Sequence, residues 1–217
     1  MRKKRGMRNF ILWFSIFLFS GCTVVFQQGR RSDLERIKSL EDALLELKDA
    51  KNLLEKKLAQ EIADKQVRVK MEDKGLVITF VAEVLFDSGK AKLREESLPI
   101  LDKVVSVLNN EVRDNNIGIE GHTDNEPIKY SGWKSNWELS AHRALSVLHY
   151  LESQGVSPNR LSAIGYGEYR PVVPNDTPSN KQLNRRVEIV IIPKGLSKIG
   201  KDSLSNVSEK SYKEELK

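Results

Sequence analysis

The sequence has one cysteine, 13 glycines, no acid before Asp33 and no apolar run long enough to span a bilayer. A single cysteine in 217 residues excludes an internal disulfide framework and any cysteine-rich zinc cage. The low glycine count excludes a collagen-like chain, and 39% hydrophobic content excludes a wholly disordered one. Of the formal charge of +6, five units belong to Arg2, Lys3, Lys4, Arg5 and Arg8. The rest of the chain is close to neutral, which excludes the basic footprint of a nucleic-acid binder. The longest apolar stretch, residues 10–19, falls short of the roughly 20 residues that cross a membrane as a helix.

What is present at the N-terminus is a basic segment, then that apolar stretch, then the small residues Ser20 and Gly21 before Cys22. This is the layout of a secretory signal. It resembles the signal of a bacterial lipoprotein, with Phe19-Ser20-Gly21-Cys22 as the lipobox. The resemblance implies that residues 1–21 are removed and that Cys22 carries a lipid anchor. A soluble secreted protein with a free cysteine, or an uncleaved anchor, is the alternative. Thr23 stands where some bacteria place the Asp that retains a lipoprotein in the inner membrane. The expectation is therefore the outer membrane, with the remainder in the periplasm. Residues 22–32 form a short polar tether.

From Asp33 to Lys65 there is neither glycine nor proline. Ile37, Leu44, Lys51 and Leu58 lie seven apart, and Leu40, Leu47, Leu54 and Glu61 follow three places behind. That is the seam of a coiled coil over residues 33–65, and it opens the possibility of a homo-oligomer. One long helix packed on its own domain is the other outcome. A helix of this length would reach about 50 Å at ~1.5 Å per residue.

Residues 66–193 read as a globular α+β domain. Val67, Val69 and Met71 alternate with polar residues, and Lys74-Gly75 makes a turn into a second strand over 76–86. Ile100, Leu101, Val104, Val105 and Leu108 place a helix over 94–109, with Pro99 near its first turn. Ile117 and Ile119 mark a short strand ending at Gly121-His122-Thr123-Asp124. Ser135 caps a second helix to Ser153, with Glu138 completing a capping box and Gly155 ending it. Its apolar stripe reads Trp137, Ala141, Ala144, Leu145, Leu148 and Leu151. Strands at 160–165 and 187–191 close the domain, and residues 194–217 are a polar tail. This order predicts a mixed sheet with helices on one face.

Asp124 follows a strand end, and Asn136 and Arg143 are seven apart on one helix stripe. Arg143 lies off the apolar stripe, so nothing forces it into the core. An acid and a planar guanidinium across a loop–helix seam fit a zwitterionic ligand, the acid taking an ammonium and the guanidinium a carboxylate. By spacing alone, such residues are more commonly a structural ion pair.

Four ordered motifs change that balance. They are Gly121-His122-Thr123-Asp124; Asn136-Trp137-Glu138-Leu139-Ser140-Ala141-His142-Arg143-Ala144; Gly165-Tyr166-Gly167-Glu168; and Asn184-Arg185-Arg186-Val187-Glu188-Ile189. With Phe86-Asp87-Ser88-Gly89 upstream, residues 66–193 resemble the OmpA-like peptidoglycan-binding domain of the OmpA, MotB and Pal family. The resemblance implies non-covalent binding of the peptide stem of peptidoglycan through diaminopimelate. Asp124 would take its ammonium and Arg143 its carboxylate, with Asn136, Asp87, Ser88, Leu139 and Arg186 at or beside the ligand. Arg186 is expected mainly as a brace for the site or the last strand. The whole chain then reads as a lipid-anchored tether between membrane and cell wall. The alternatives are a scaffold recruiting partners through the coiled coil, or a flagellar-motor-associated protein of the MotB type.

The remaining candidates are weaker. His122 reads as a loop hydrogen-bond donor rather than a metal ligand, and His142 and His149 as solvent-facing. Glu120, Asp124 and Glu126 form an acidic cluster, but no nucleophile–base pair accompanies it. No enzyme activity, cofactor, metal or nucleic-acid partner is expected. Tyr130, Trp133 and Trp137 make this region aromatic, of a kind that can stack on sugar rings, although Trp137 reads as packed on the helix's core stripe.

Overall fold

The computed structural model describes residues 33–129 and 132–194. The signal, Cys22, the tether, Tyr130 and the tail beyond residue 194 lie outside them. The chain divides into two compact units, 1–42 and 43–217. In the first, residues 33–42 are helical, and Leu34, Ile37 and Leu40 are exposed.

The second unit opens with helix α1 over 43–57 and the short α2 (Ala59–Ala63). Leu47, Ala50, Leu54 and Leu58 are fully buried in the same apolar cluster as Leu76, Ile78, Leu101 and Ile117. Three leucines of the expected seam are therefore spent on the domain's own core. Glu61, also on that seam, is buried beside Lys103 at 2.5 Å. Leu44 alone of the seam leucines in this unit stays exposed. The heptad spacing is real, but a 3.5-residue period cannot tell a partner helix from a sheet as the surface it meets.

Five strands follow: β1 (Val67–Glu72), β2 (Gly75–Val81), β3 (Asn116–His122), β4 (Leu161–Gly165) and β5 (Arg186–Ile192). They lie in the order β1-β2-β5-β3-β4, with only the β3–β4 pair parallel. The hairpin turns on Asp73-Lys74, because Glu72 pairs with Gly75. The expected strand over 76–86 stops at Val81; α3 (Ala82–Leu85) follows, and Phe86 makes an isolated bridge to Leu93. Helix α4 (Leu98–Asn110) carries Pro99 in its first turn, where no hydrogen bond is lost. Helix α5 (Asn136–Ser153) starts at Ser135, whose hydroxyl accepts from the Glu138 N–H at 3.3 Å. The Glu138 carboxylate turns back to the Lys134 N–H at 2.6 Å. Sequence reading missed α6 (Pro178–Asn184), a two-turn helix capped by Thr177.

Side chains alternate across β3. Ile117, Ile119 and Gly121 face the helices; Gly118, Glu120 and His122 face the other side. Helix α5 comes very close at two points. A Cβ on Gly121 would lie 2.0 Å from the Ser140 carbonyl oxygen, and one on Gly165 would lie 2.5 Å from the Ala141 nitrogen. This contact turns α5 relative to the stripe read from sequence. Leu139, Ser140, Arg143, Ala144, Val147 and Leu151 are buried, whereas Trp137 and Leu145 are exposed. No described helix is long and apolar enough to cross a membrane.

Candidate functional site

A cavity of about 670 Å³ opens where β3 ends, between α3 with its following loop, the loop after His122, α5 and the start of β5. Asp124, Arg143, Asn136, Asp87, Ser88 and Leu139 all line it. Arg186 does not; its neighbour Arg185 does.

Arg143 is only 4% exposed. Its Nε–H donates to the Lys90 carbonyl at 2.9 Å, and the guanidinium carbon sits 5.3 Å from the centre of the Phe86 ring. Both terminal nitrogens are without a partner among the described residues. Burial lowers its pKa to about 10, against the attraction of Glu83 and Asp124, so it stays charged at neutral pH. The expectation that Arg143 lies off the buried face is thus corrected: its stem is in the core and its fork is at the cavity.

Asp124 does not pair with Arg143. One carboxylate oxygen accepts the Glu126 N–H at 3.1 Å, and the other accepts Arg185 Nη1 at 2.6 Å. Arg185 also donates through Nε to Glu83 at 2.7 Å. Burial alone would lower the Arg185 pKa, but its hydrogen bonds to Asp124 and Glu83 raise it above the ordinary value. A carboxylate offers about four lone-pair sites, so Asp124 keeps acceptor capacity for a ligand ammonium. The cavity thus holds one committed guanidinium, Arg185, and one uncommitted, Arg143. The Asn136 side-chain amide donates to Glu168 at 2.6 Å, to the Glu126 carbonyl at 3.0 Å and to the Asp124 carbonyl at 3.4 Å. Its N–H₂ group holds the loop rather than reaching for a ligand. Asp87 is largely exposed and 3.8 Å from Arg94.

Arg185 was legible by parity. It has the parity of Val187 and Ile189, which face the helices, whereas Arg186 has that of Glu188 and lies on the opposite face. There Arg186 donates to Glu188 at 2.6 Å and to the Asn184 and Arg170 carbonyls. It braces the strand and the turn beyond it. Glu188 pairs in register with Glu120, and Lys74 donates to both at 2.6 and 2.7 Å. His122 is not the loop donor expected from sequence. It ends β3, is buried, stacks on Tyr166 at 5.2 Å, and neither ring nitrogen has a hydrogen-bond partner. Burial lowers its pKa and keeps it neutral, although Glu120 pulls the other way. Glu120, His122 and Glu188 bring ligand atoms within 4.8 Å of one another. Lys74 and Arg186 already neutralise both carboxylates, so a divalent cation would have to displace the ammonium. The acidic cluster noted in the sequence is also dispersed: Glu120 is paired with Lys74, Asp124 with Arg185, and Glu126 with Lys181.

This ladder makes the fold acid-sensitive. Burial would raise the Glu188 carboxyl, but the hydrogen bond from Lys74 and the charge of Arg186 hold it down at about 2. A depressed carboxyl stabilises the fold above its unfolded value of ~4.3 and ceases to do so as pH falls towards 2. We expect a loss of roughly 3 kcal/mol across that window, followed by denaturant unfolding at each pH. The Lys74→Met variant should lose less on acidification.

Residues 85–185 match the OmpA family. Over 152 residues, 69% of this chain, the sequence is 42% identical to motility protein B of Bacillus subtilis (strain 168), of which the match spans 58%. The crystal structure of a MotB-like protein from Desulfovibrio vulgaris superposes with a TM-score of 0.65 at 28% identity, covering 71% of this chain and 99% of that one. The cell wall anchor of the T6SS from Pseudomonas aeruginosa superposes with a TM-score of 0.60 at 31% identity, covering 65% of this chain and 97% of that one. Residues 85–185 thus form a domain of the OmpA family.

Proposed function

We propose that the cavity binds the peptide stem of bacterial peptidoglycan without covalent chemistry, gripping the free amino-acid end of diaminopimelate. Arg143 takes the carboxylate through two parallel hydrogen bonds, and Asp124 takes the ammonium. The observation that carries this reading is the unpartnered fork of Arg143, held by Lys90 and Phe86 beside a carboxylate that keeps free acceptor sites. The similarity to a protein described as a cell wall anchor supports it. Arg185 and Glu83 hold Asp124 in place. Asp87, Ser88 and Leu139 border the ligand, and Asn136 shapes the loop.

The whole chain then tethers a membrane to the wall from the periplasm, with the lipid on Cys22 in the outer membrane. The exposed Ile37, Leu40 and Leu44 keep the heptad spacing of a helix that pairs with a second copy. Anchoring and pairing both raise the effective concentration of the domain at the wall. Titration of the full chain with diaminopimelate-containing and lysine-containing stem peptides tests the reading. Tight binding of the first and weak binding of the second is expected, because the lysine end lacks the carboxylate. Equal affinities would overturn it. A second reading, a motor-associated protein, is favoured by the 42% identity to motility protein B. It predicts lost swimming on gene deletion, where a simple tether predicts a loosened envelope in cells that still swim.

A further inference from the structure

We propose that Trp137 and Tyr169 form a carbohydrate platform, on which a sugar ring of the wall glycan lies while its attached peptide occupies the cavity. This rests on the peptide-binding reading and extends it from the stem to the strand. The two rings stack with centroids 5.0 Å apart and 23° between planes. They are nonetheless 49% and 64% exposed. The close approach of α5 to Gly121 and Gly165 turns Trp137 away from the core.

The polar tips are free as well. Neither the Trp137 indole N–H nor the Tyr169 hydroxyl has a partner among the described residues. Trp133 shows the contrasting, structural use of an aromatic. Its indole N–H donates to the Gly89 carbonyl at 2.8 Å, and its ring packs on His142 at 4.7 Å. A pyranose ring has one face of C–H groups and a rim of hydroxyls. An aromatic face suits the first, and an N–H or O–H at its edge suits the second. An apolar protein surface pressed on the pair would leave both tips buried and unpaired, so it fits poorly. The place also lies beside a residue of the cavity wall, Asn136. Trp137 follows Asn136, Tyr169 follows Glu168, and those two side chains are joined at 2.6 Å. The other Glu168 oxygen has no described partner and is available to a sugar hydroxyl. A polymer carrying peptide on sugar can therefore engage both places at once, the second contact becoming intramolecular.

The test uses the full chain with three probes: intact sacculi, glycan strands stripped of peptide by an amidase, and a free diaminopimelate stem tripeptide. The parent should bind all three. Trp137→Ala and Tyr169→Ala should each lose about five- to tenfold on stripped strands and on sacculi, while keeping tripeptide affinity. Asp124→Ala should lose the tripeptide and keep the strands. Tyr169 is an exposed loop residue, so its variant keeps the test valid should Trp137→Ala fail to fold. Stripped strands that ignore the parent, or hold both aromatic variants as tightly as the parent, overturn the platform. A dimer that dissociates in Tyr169→Ala with glycan binding unchanged makes a second copy the occupant, and also overturns it. A parent that holds strands but not tripeptide supports the platform and overturns the peptide reading.

Discussion

Arg143→Ala is expected to cut affinity for a diaminopimelate stem peptide by about a hundredfold or more. Removing one partner of a buried, hydrogen-bonded charge pair costs about 2–5 kcal/mol, which is roughly 30-fold to several thousandfold. No neighbour can substitute. Arg185 is the other guanidinium at the cavity, and its nitrogens are committed to Glu83 and Asp124. Lys90 contributes its backbone carbonyl to Arg143, and a flexible ammonium cannot reproduce two parallel hydrogen bonds. Arg143→Lys should therefore fall between, at about tenfold, because the charge survives and the planar fork does not. Calorimetric titration reads all three proteins, with thermal melts confirming that each is folded. An alanine variant that binds like the parent would remove the clamp from the site.

Gly121→Val should have the largest effect on the fold itself. Its first side-chain atom would lie 2.0 Å from the Ser140 carbonyl oxygen and 2.8 Å from the carbon behind it, both backbone atoms of α5. No rotamer relieves a clash at Cβ, so the helix must lift from β3. We expect at least about 3 kcal/mol of destabilisation, or a melting temperature lower by about 10 °C or more. Gly118→Ala in the same strand is the control: its nearest atoms would be 3.8 and 3.9 Å away, ordinary contact distances. A Gly121 variant melting with the parent would show that the helix is not seated there. Because the same contact carries Asn136 and Arg143, a destabilised variant should also bind peptide poorly.

Much of this arrangement was legible in the residues. Alternation located β1, β3 and β5, because every second side chain in each faces the apolar core. Ser135, Glu138 and Gly155 bounded α5, because caps are local chemistry. Six of the seven residues assigned to the ligand line one cavity. What failed depended on the partner surface. The stripe on α5 was drawn through Trp137, Ala141 and Leu145, yet the helix turns Leu139, Ser140 and Arg143 inward, its backbone at Ser140 and Ala141 lying against two strand glycines. That single rotation buried Arg143 and exposed Trp137. The heptads before residue 60 left two outcomes open, since leucines at that spacing serve a core as well as a second helix; Leu47, Leu54 and Leu58 went to the core. The choice of Arg186 over Arg185 ignored strand parity. Helix α3 was hidden because Ala82, Val84 and Leu85 carry the strand's apolar run on past Glu83.

The central position of β5 has a bearing on how the protein is made. Its partners β2 and β3 are both synthesised earlier, yet neither touches the other in the finished sheet. Until residues near 186–192 leave the ribosome, the hydrophobic layer has a missing middle, and both half-sheets present an open edge. The β1–β2 hairpin and the β3–β4 pair can therefore join into one sheet only once the last strand is made.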